Sequence, residues 1–335
     1  MKKVLMMFLA LFAMVGLVAC GGDDDQKVLA VIMPNATHGF TGESVKHATA
    51  AAERLATEAG YDYRVYTSGD VTAQAQQIET AIAEEVDVIV LWPHNGDELK
   101  QTAQSILDAN IPLIVYDRLI TNFDEDAELM GDNETIGEET GLYFNDYFAT
   151  ELAAGQVNIL EFKGDNSTVP TQRSDGFWST ANDNFNLVQD WSTGWSKSTA
   201  QTQMETFLNS SEQATIESIK AVFTHDAEVA AGVLQAIEGY QGSATINIEL
   251  VSAVSASREL LGMFDHYENL GIDQVTFSFS PAMVVEAIEL AVDILDGEDV
   301  SGLYLVETEM VDNGNYETFM EGPVYTLRYS LEEEE

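Results

Sequence analysis

Positive charge is scarce in this chain. Against 57 acidic side chains stand only 14 lysines and arginines, a formal net charge of −43 over 335 residues. That scarcity argues against a nucleic-acid partner, whose phosphates are neutralised by Lys and Arg. It argues equally against docking on an anionic membrane surface. Such a surface stays solvated and suits high salt, where self-repulsion is screened. Cysteine is nearly absent as well: Cys20 stands alone and leaves no internal disulfide. After the first twenty residues no segment is apolar enough to cross a bilayer. A metal-spaced His pair on a helix, a Gly-x-Ser-x-Gly elbow and a P-loop are all missing. Carboxylate pairs abound, but 57 acids make chance pairs inevitable. No enzyme activity, cofactor or metal is therefore expected.

What the N-terminus does carry is an address. Lys2 and Lys3 precede an apolar run from Val4 to Gly16, too short for a stable membrane anchor and flanked like a signal peptide. The ending Leu17-Val18-Ala19-Cys20 resembles the bacterial lipoprotein signal, in which the cysteine is lipidated and becomes the new N-terminus. The resemblance implies a signal peptide over 1–19, lipidation of Cys20 and an extracytoplasmic, lipid-anchored protein. Residues 20–26, with Asp23 to Asp25, read as a flexible acidic tether.

From Lys27 onward, short apolar runs alternate with helical periodicity. Strands are expected at 28–33, 63–67, 86–92, 111–116, 157–162, 186–190, 219–224, 246–253 and 274–279. Helices are expected at 44–59, around Ala75 to Ile82, around Leu99 to Leu107, and at 134–152, 171–184, 198–210, 227–240, 257–269 and 282–295. Continuous apolar strands between amphipathic helices mean an α/β fold of doubly wound parallel sheets. So many strands exceed one comfortable open sheet, so two lobes are expected.

Ligands of open parallel sheets bind beyond the carboxyl ends of the strands. The residues there include His38 and Phe40, then Trp92, His94 and Asn95, then Asp117 and Arg118. The second half offers Asp165, Trp191, Trp195, His225, Asp226, Ser255, Phe279 and Ser280. Rings that stack on C–H faces stand beside carboxylates, amides and guanidinium groups that take hydroxyls, which is the chemistry a sugar needs. Simpler readings stand alongside: Asp117–Arg118 as a surface ion pair, Asp226 as a helix N-cap, the tryptophans as core, Phe40 as a hydrophobic staple.

These positions also carry a family likeness. The segments Ile111-Pro112-Leu113-Ile114-Val115-Tyr116-Asp117-Arg118, Gly131-Asp132-Asn133, Gln172-Arg173-Ser174-Asp175-Gly176-Phe177 and Ala221-Val222-Phe223-Thr224-His225-Asp226 resemble those of type I periplasmic binding proteins, of the ribose/galactose type serving ABC transporters. The resemblance implies two lobes joined by a three-crossing hinge, 27–132 with 280–310 and 133–279 with 311–330. It implies ligand contacts from His38, Phe40, Trp92, Asp117, Arg118, Arg173, Trp195, His225, Asp226 and Phe279. A monosaccharide ligand, an ABC permease partner and a monomeric state follow. Trp92, Val254-Ser255-Ala256 and Phe279 depart from the ribose pattern, which implies a more aromatic pocket and a ligand other than ribose. A receptor for a sugar or furanosyl autoinducer that signals to a membrane sensor is the rival reading, and a secreted hydrolase the remote one.

Overall fold

The computed structural model describes residues 26–36, 39–323 and 325. The signal segment, Cys20 and His38 lie outside these residues. The chain begins β1 (Val28–Pro34), α1 (Gly39–Ala59), β2 (Asp62–Ser68), α2 (Val71–Ala83), β3 (Val88–Leu91), α3 (Gly96–Asp108), β4 (Leu113–Tyr116) and β5 (Ala127–Gly131). It continues with α4 (Asn133–Tyr147), α5 (Ala149–Ala154), β6 (Val157–Lys163), α6 (Thr168–Thr180), β7 (Phe185–Ser192), α7 (Lys197–Ser210), α8 (Gln213–Ser218), β8 (Ile219–Thr224) and α9 (Ala227–Glu238). The last part holds β9 (Leu250–Ser252), α10 (Arg258–Leu261), α11 (Phe264–Glu268), β10 (Asp273–Phe277), α12 (Met283–Asp296), β11 (Gly302–Val306), β12 (Met310–Asp312) and α13 (Tyr316–Glu321).

The strands form two six-stranded sheets, ordered β11-β5-β4-β3-β1-β2 and β12-β10-β9-β8-β6-β7. Every pairing is parallel except β10 with β12. The chain leaves the first sheet after β5, returns to it with β11, and ends on the second with β12. It therefore passes three times between two α/β lobes, the architecture of a type I periplasmic binding protein.

Each sheet is apolar on both faces because helices cover both. Along β1, Leu29 and Val31 enter the core under α1 and α12, while Ala30 and Ile32 enter the one under α2 and α3. In the second sheet Leu160 and Phe162 face α7 and α9, whereas Ile159 joins Phe144 and Phe177 beneath α4 and α6. All these residues are buried.

The periodicity reading differs from the structure at the weakly patterned elements. The expected strand 246–253 shrinks to three residues of β9, and the helix expected over 257–269 is two short ones. The helix expected over 134–152 breaks at Phe148, whose backbone leaves the helical region. β5, β11 and β12 went unanticipated. They are short, and β11 is exposed along much of its length, so only pairing to a neighbour makes them strands.

Candidate functional site

The carboxyl ends of the two sheets face each other across a narrow cleft. From the first lobe it is lined by Phe40 at the start of α1, Trp92 after β3, and Asp117 and Arg118 after β4. The second lobe contributes Val169 and Arg173 of α6, Trp195 after β7, Asp226 after β8, and Val254 and Ser255 after β9. Phe279 enters after β10.

Three of these residues, Asp117, Trp195 and Ser255, have positive φ (63°, 62° and 74°). Left-handed backbone is unfavourable for residues bearing a Cβ and concentrates where a side chain must be aimed. At Asp117 the turn is tight: Arg118 N donates back to Tyr116 O at 2.7 Å. Two aromatic walls depend on glycine for close approach. A Cβ on Gly164 would run into the Trp195 ring, and one on Gly131 into Phe279. Phe279 and Phe40 lie 5.4 Å apart by ring centroids, and Phe40 meets Trp92 edge-on at 6.0 Å.

Arg173 sits at the centre of the charge pattern. Its guanidinium stacks on Phe279 at 4.7 Å and lies 5.8 Å from the Trp195 ring. Nε donates to Asn133 Oδ1 at 2.9 Å, and Nη1 donates to the carbonyl of His225. Burial pulls its pKa down to about 10, opposed by Asp117 and Asp226. Arg118 faces it from the other lobe. It reaches Asp165 at 3.0 Å across the cleft, and Nη1 donates to His94 O at 2.7 Å.

The carboxylates divide by environment. Burial raises Asp117, against the pull of Arg118 and Arg173. Burial also lifts Asp226 to about 7, with Glu228 adding to it. Asp165 goes the other way: burial would raise it, but Arg118, Ser167 and nearby groups hold it below the ordinary value. The indole N–H groups of Trp92 and Trp195 lie near Asp117 and Asp165 and favour their ionised forms, yet neither closes a hydrogen bond. Both donors are buried, where an unpaired N–H is costly. Asp226 also caps α9, Oδ1 accepting from Glu228 N and Val229 N at 2.8 and 3.4 Å.

Eight of the ten residues singled out from the sequence line the cleft, and His38 is outside the described residues. His225 is the correction. Its ring is fully buried behind the cleft wall, with Nε2 3.1 Å from Glu161 Oε1, so its carbonyl and not its imidazole serves the site. His225 and Asp226 are consecutive, and alternation along extended backbone sends their side chains opposite ways. Trp191 stacks on Phe162 at 4.5 Å and belongs to the core. Sequence reasoning gave no signal for Val169. It also overlooked Glu161, a lone acid within an apolar strand and in register with the inward Ile159.

The two lobes touch in this arrangement. Besides Arg118–Asp165, Leu119 N donates to Thr168 Oγ1 at 3.1 Å, and Gly39 N donates to Glu228 Oε1. Among the described residues no cluster of His, Cys, Asp and Glu is arranged to hold a metal ion, and no helix is long and apolar enough to cross a membrane.

Known proteins share this fold. Residues 29–299 match the family model described as "Periplasmic binding protein domain". That match covers well over half of the chain, and the chain belongs to this family of binding proteins. The D-xylose-binding periplasmic protein of Haemophilus influenzae is 42% identical over 71 residues, 21% of each chain. That of Escherichia coli is 27% identical over 198 residues, 54% of each chain. The alignments thus span about a fifth and about half of these relatives. A Mycobacterium smegmatis protein crystallised with β-D-fucofuranose superposes with a TM-score of 0.76 at 23% identity, covering 90% of this chain and 96% of that one.

Proposed function

We propose that this protein is an extracytoplasmic, lipid-anchored solute-binding protein that captures a monosaccharide for an ABC importer. The observation that carries this reading is the cleft itself. Two arginines and two buried carboxylates, drawn from both lobes, converge between aromatic rings. Ring faces suit the C–H surfaces of a sugar, and fixed planar groups suit its hydroxyls. Binding energy from groups on both lobes favours the closed arrangement, so the ligand shifts the population toward it. The names of the xylose-binding relatives support the ligand class. The aromatic replacements at Trp92 and Phe279 favour a sugar other than ribose.

Residues 1–19 act as signal peptide, Cys20 carries the lipid, and 20–26 form the tether. The lobe boundaries 27–132 with 280–310 and 133–279 with 311–330 are supported by β11 pairing in the first sheet and β12 in the second. The protein works as a monomer beside its permease.

A thermal-shift panel tests the reading, with D-xylose, D-fucose, L-arabinose, D-glucose, D-ribose and myo-inositol. Ligand at a hundred times Kd stabilises the native state by about 2.7 kcal/mol. For a chain of this size that is a rise of several degrees in Tm. Arg173→Ala and Asp117→Ala should each remove the rise while the ligand-free protein still folds. A flat panel, or full stabilisation in both variants, overturns the assignment.

A further inference from the structure

The side chains that touch a ligand are held by others that do not, and Arg173 shows the most developed support. Glu161, on β6, is 0% exposed and takes no part in lining the cleft. One of its oxygens, Oε1, accepts a hydrogen bond from Ser174 and lies 3.1 Å from His225 Nε2. Lys163 Nζ lies 3.7 Å from the other, Oε2. Ser174 is the residue after Arg173 on α6. His225 is the residue whose carbonyl receives Arg173 Nη1. One buried carboxylate therefore grips both the helix position that carries the arginine and the strand end that orients it.

We infer that Glu161 is a positioning residue that sets the direction of the Arg173 guanidinium through Ser174 and His225. A buried charge is costly, and an apolar residue of similar size would pack into the sheet more cheaply. What the carboxylate supplies is direction: two donors bound to one oxygen fix two elements relative to each other. The His225 ring completes the geometry. With Nε2–H donating to Glu161, Nδ1 is left buried without a partner, so the imidazole is anchored at one point only. Asn133 Oδ1 secures the guanidinium from α4, and the His225 carbonyl adds a second hydrogen bond that fixes its rotation about the Nε axis.

This inference rests on Arg173 being a ligand-holding group, but its test needs no ligand. The Nε–H resonance of Arg173, assigned by its loss in Arg173→Lys, is followed by ¹H–¹⁵N NMR in the ligand-free protein. In the wild type its exchange with water should be slow. Glu161→Gln should speed it at least tenfold, and Ser174→Ala, which removes one of the two grips, at least threefold. Backbone amides of β9, in the same lobe, report general loosening and should stay protected. Unchanged Arg173 exchange in Ser174→Ala, or equal acceleration in β9, overturns the inference even where Glu161→Gln fails to fold. A flat sugar panel with these exchange changes intact would instead sink the functional reading and leave the role of Glu161 standing.

Discussion

At the scale of the residue, the cleft is tuned by taking charge out of water. Asp226 has a pKa of about 7 in the folded protein against an ordinary 3.8. A raised carboxylate pKa means that the native state holds a proton between those values which the unfolded chain has released. This group therefore costs stability in full above about 7, and the cost is relieved progressively as pH falls from about 7 to 3.8. Glu161 and His225 have the opposite sign. Burial works against Glu161, but His225, Ser174 and Lys163 hold its pKa below the usual range. Burial holds His225 low despite Glu161. Glu161 contributes stability that is lost as pH falls below the ordinary carboxylate range, and His225 costs stability once pH falls below 6.5, so both weaken the fold on acidification. A sugar hydroxyl donating to Asp226 favours the ionised form, so binding near neutral pH should expel protons. The affinity should rise up to about tenfold from pH 6 to pH 8. Calorimetric titration in buffers of different ionisation enthalpy measures the proton release directly. An enthalpy independent of buffer would rule this out.

At the scale of the element, α4 and α6 decide where Arg173 points. They cross so closely that a Cβ on Gly137 would strike the backbone carbonyl of Arg173, and one on Gly176 the carbonyl of Glu134. Propensity alone would make either Gly→Ala change favourable by about 0.5–1 kcal/mol in a helix interior. The obstacle is backbone, which cannot swing aside, so overpacking of about 1–3 kcal/mol prevails. Gly176→Ala is expected to lower Tm. It should also weaken ligand binding by lengthening the Asn133–Arg173 bond. A raised Tm with unaltered binding would show that the helices have room to spare. Helix α9 illustrates the reverse economy, since its N-cap Asp226 also lines the cleft. Both readings of that residue, cap and ligand group, describe the same carboxylate.

At the scale of the whole molecule, one charged contact ties the two lobes together across the cleft. Arg118 and Asp165 meet across the cleft, and both are largely buried. A hydrogen bond between charged groups of this kind contributes roughly 1.5–3 kcal/mol, a factor of about ten or more in the balance between closed and open forms. Asp165→Asn should therefore open the ligand-free protein, seen as a larger radius of gyration by small-angle scattering, and saturating ligand should close it again. Superimposable scattering from variant and wild type would remove this contact from the closing balance.

Much of this architecture was legible in the order of residues. Buried strands such as Val28 to Met33 announce themselves by continuous apolar character, and amphipathic helices by their spacing. A parallel sheet then dictates where a ligand sits, so Asp117, Arg118 and Asp226 could be located without coordinates. β5, β11 and β12 were not legible, because pairing and not intrinsic pattern makes them strands. The sequence by itself determined the class of fold, the end of the sheets that carries the site and the chemistry on offer there. Tertiary structure alone decided which of two adjacent side chains faces the cleft, His225 or Asp226. It alone set Trp195 and Phe279 against Gly164 and Gly131. The physical reason is that a strand tip reverses its side-chain direction with every residue, and a single positive φ redirects it again. Those angles are fixed by long-range packing, which no local pattern records.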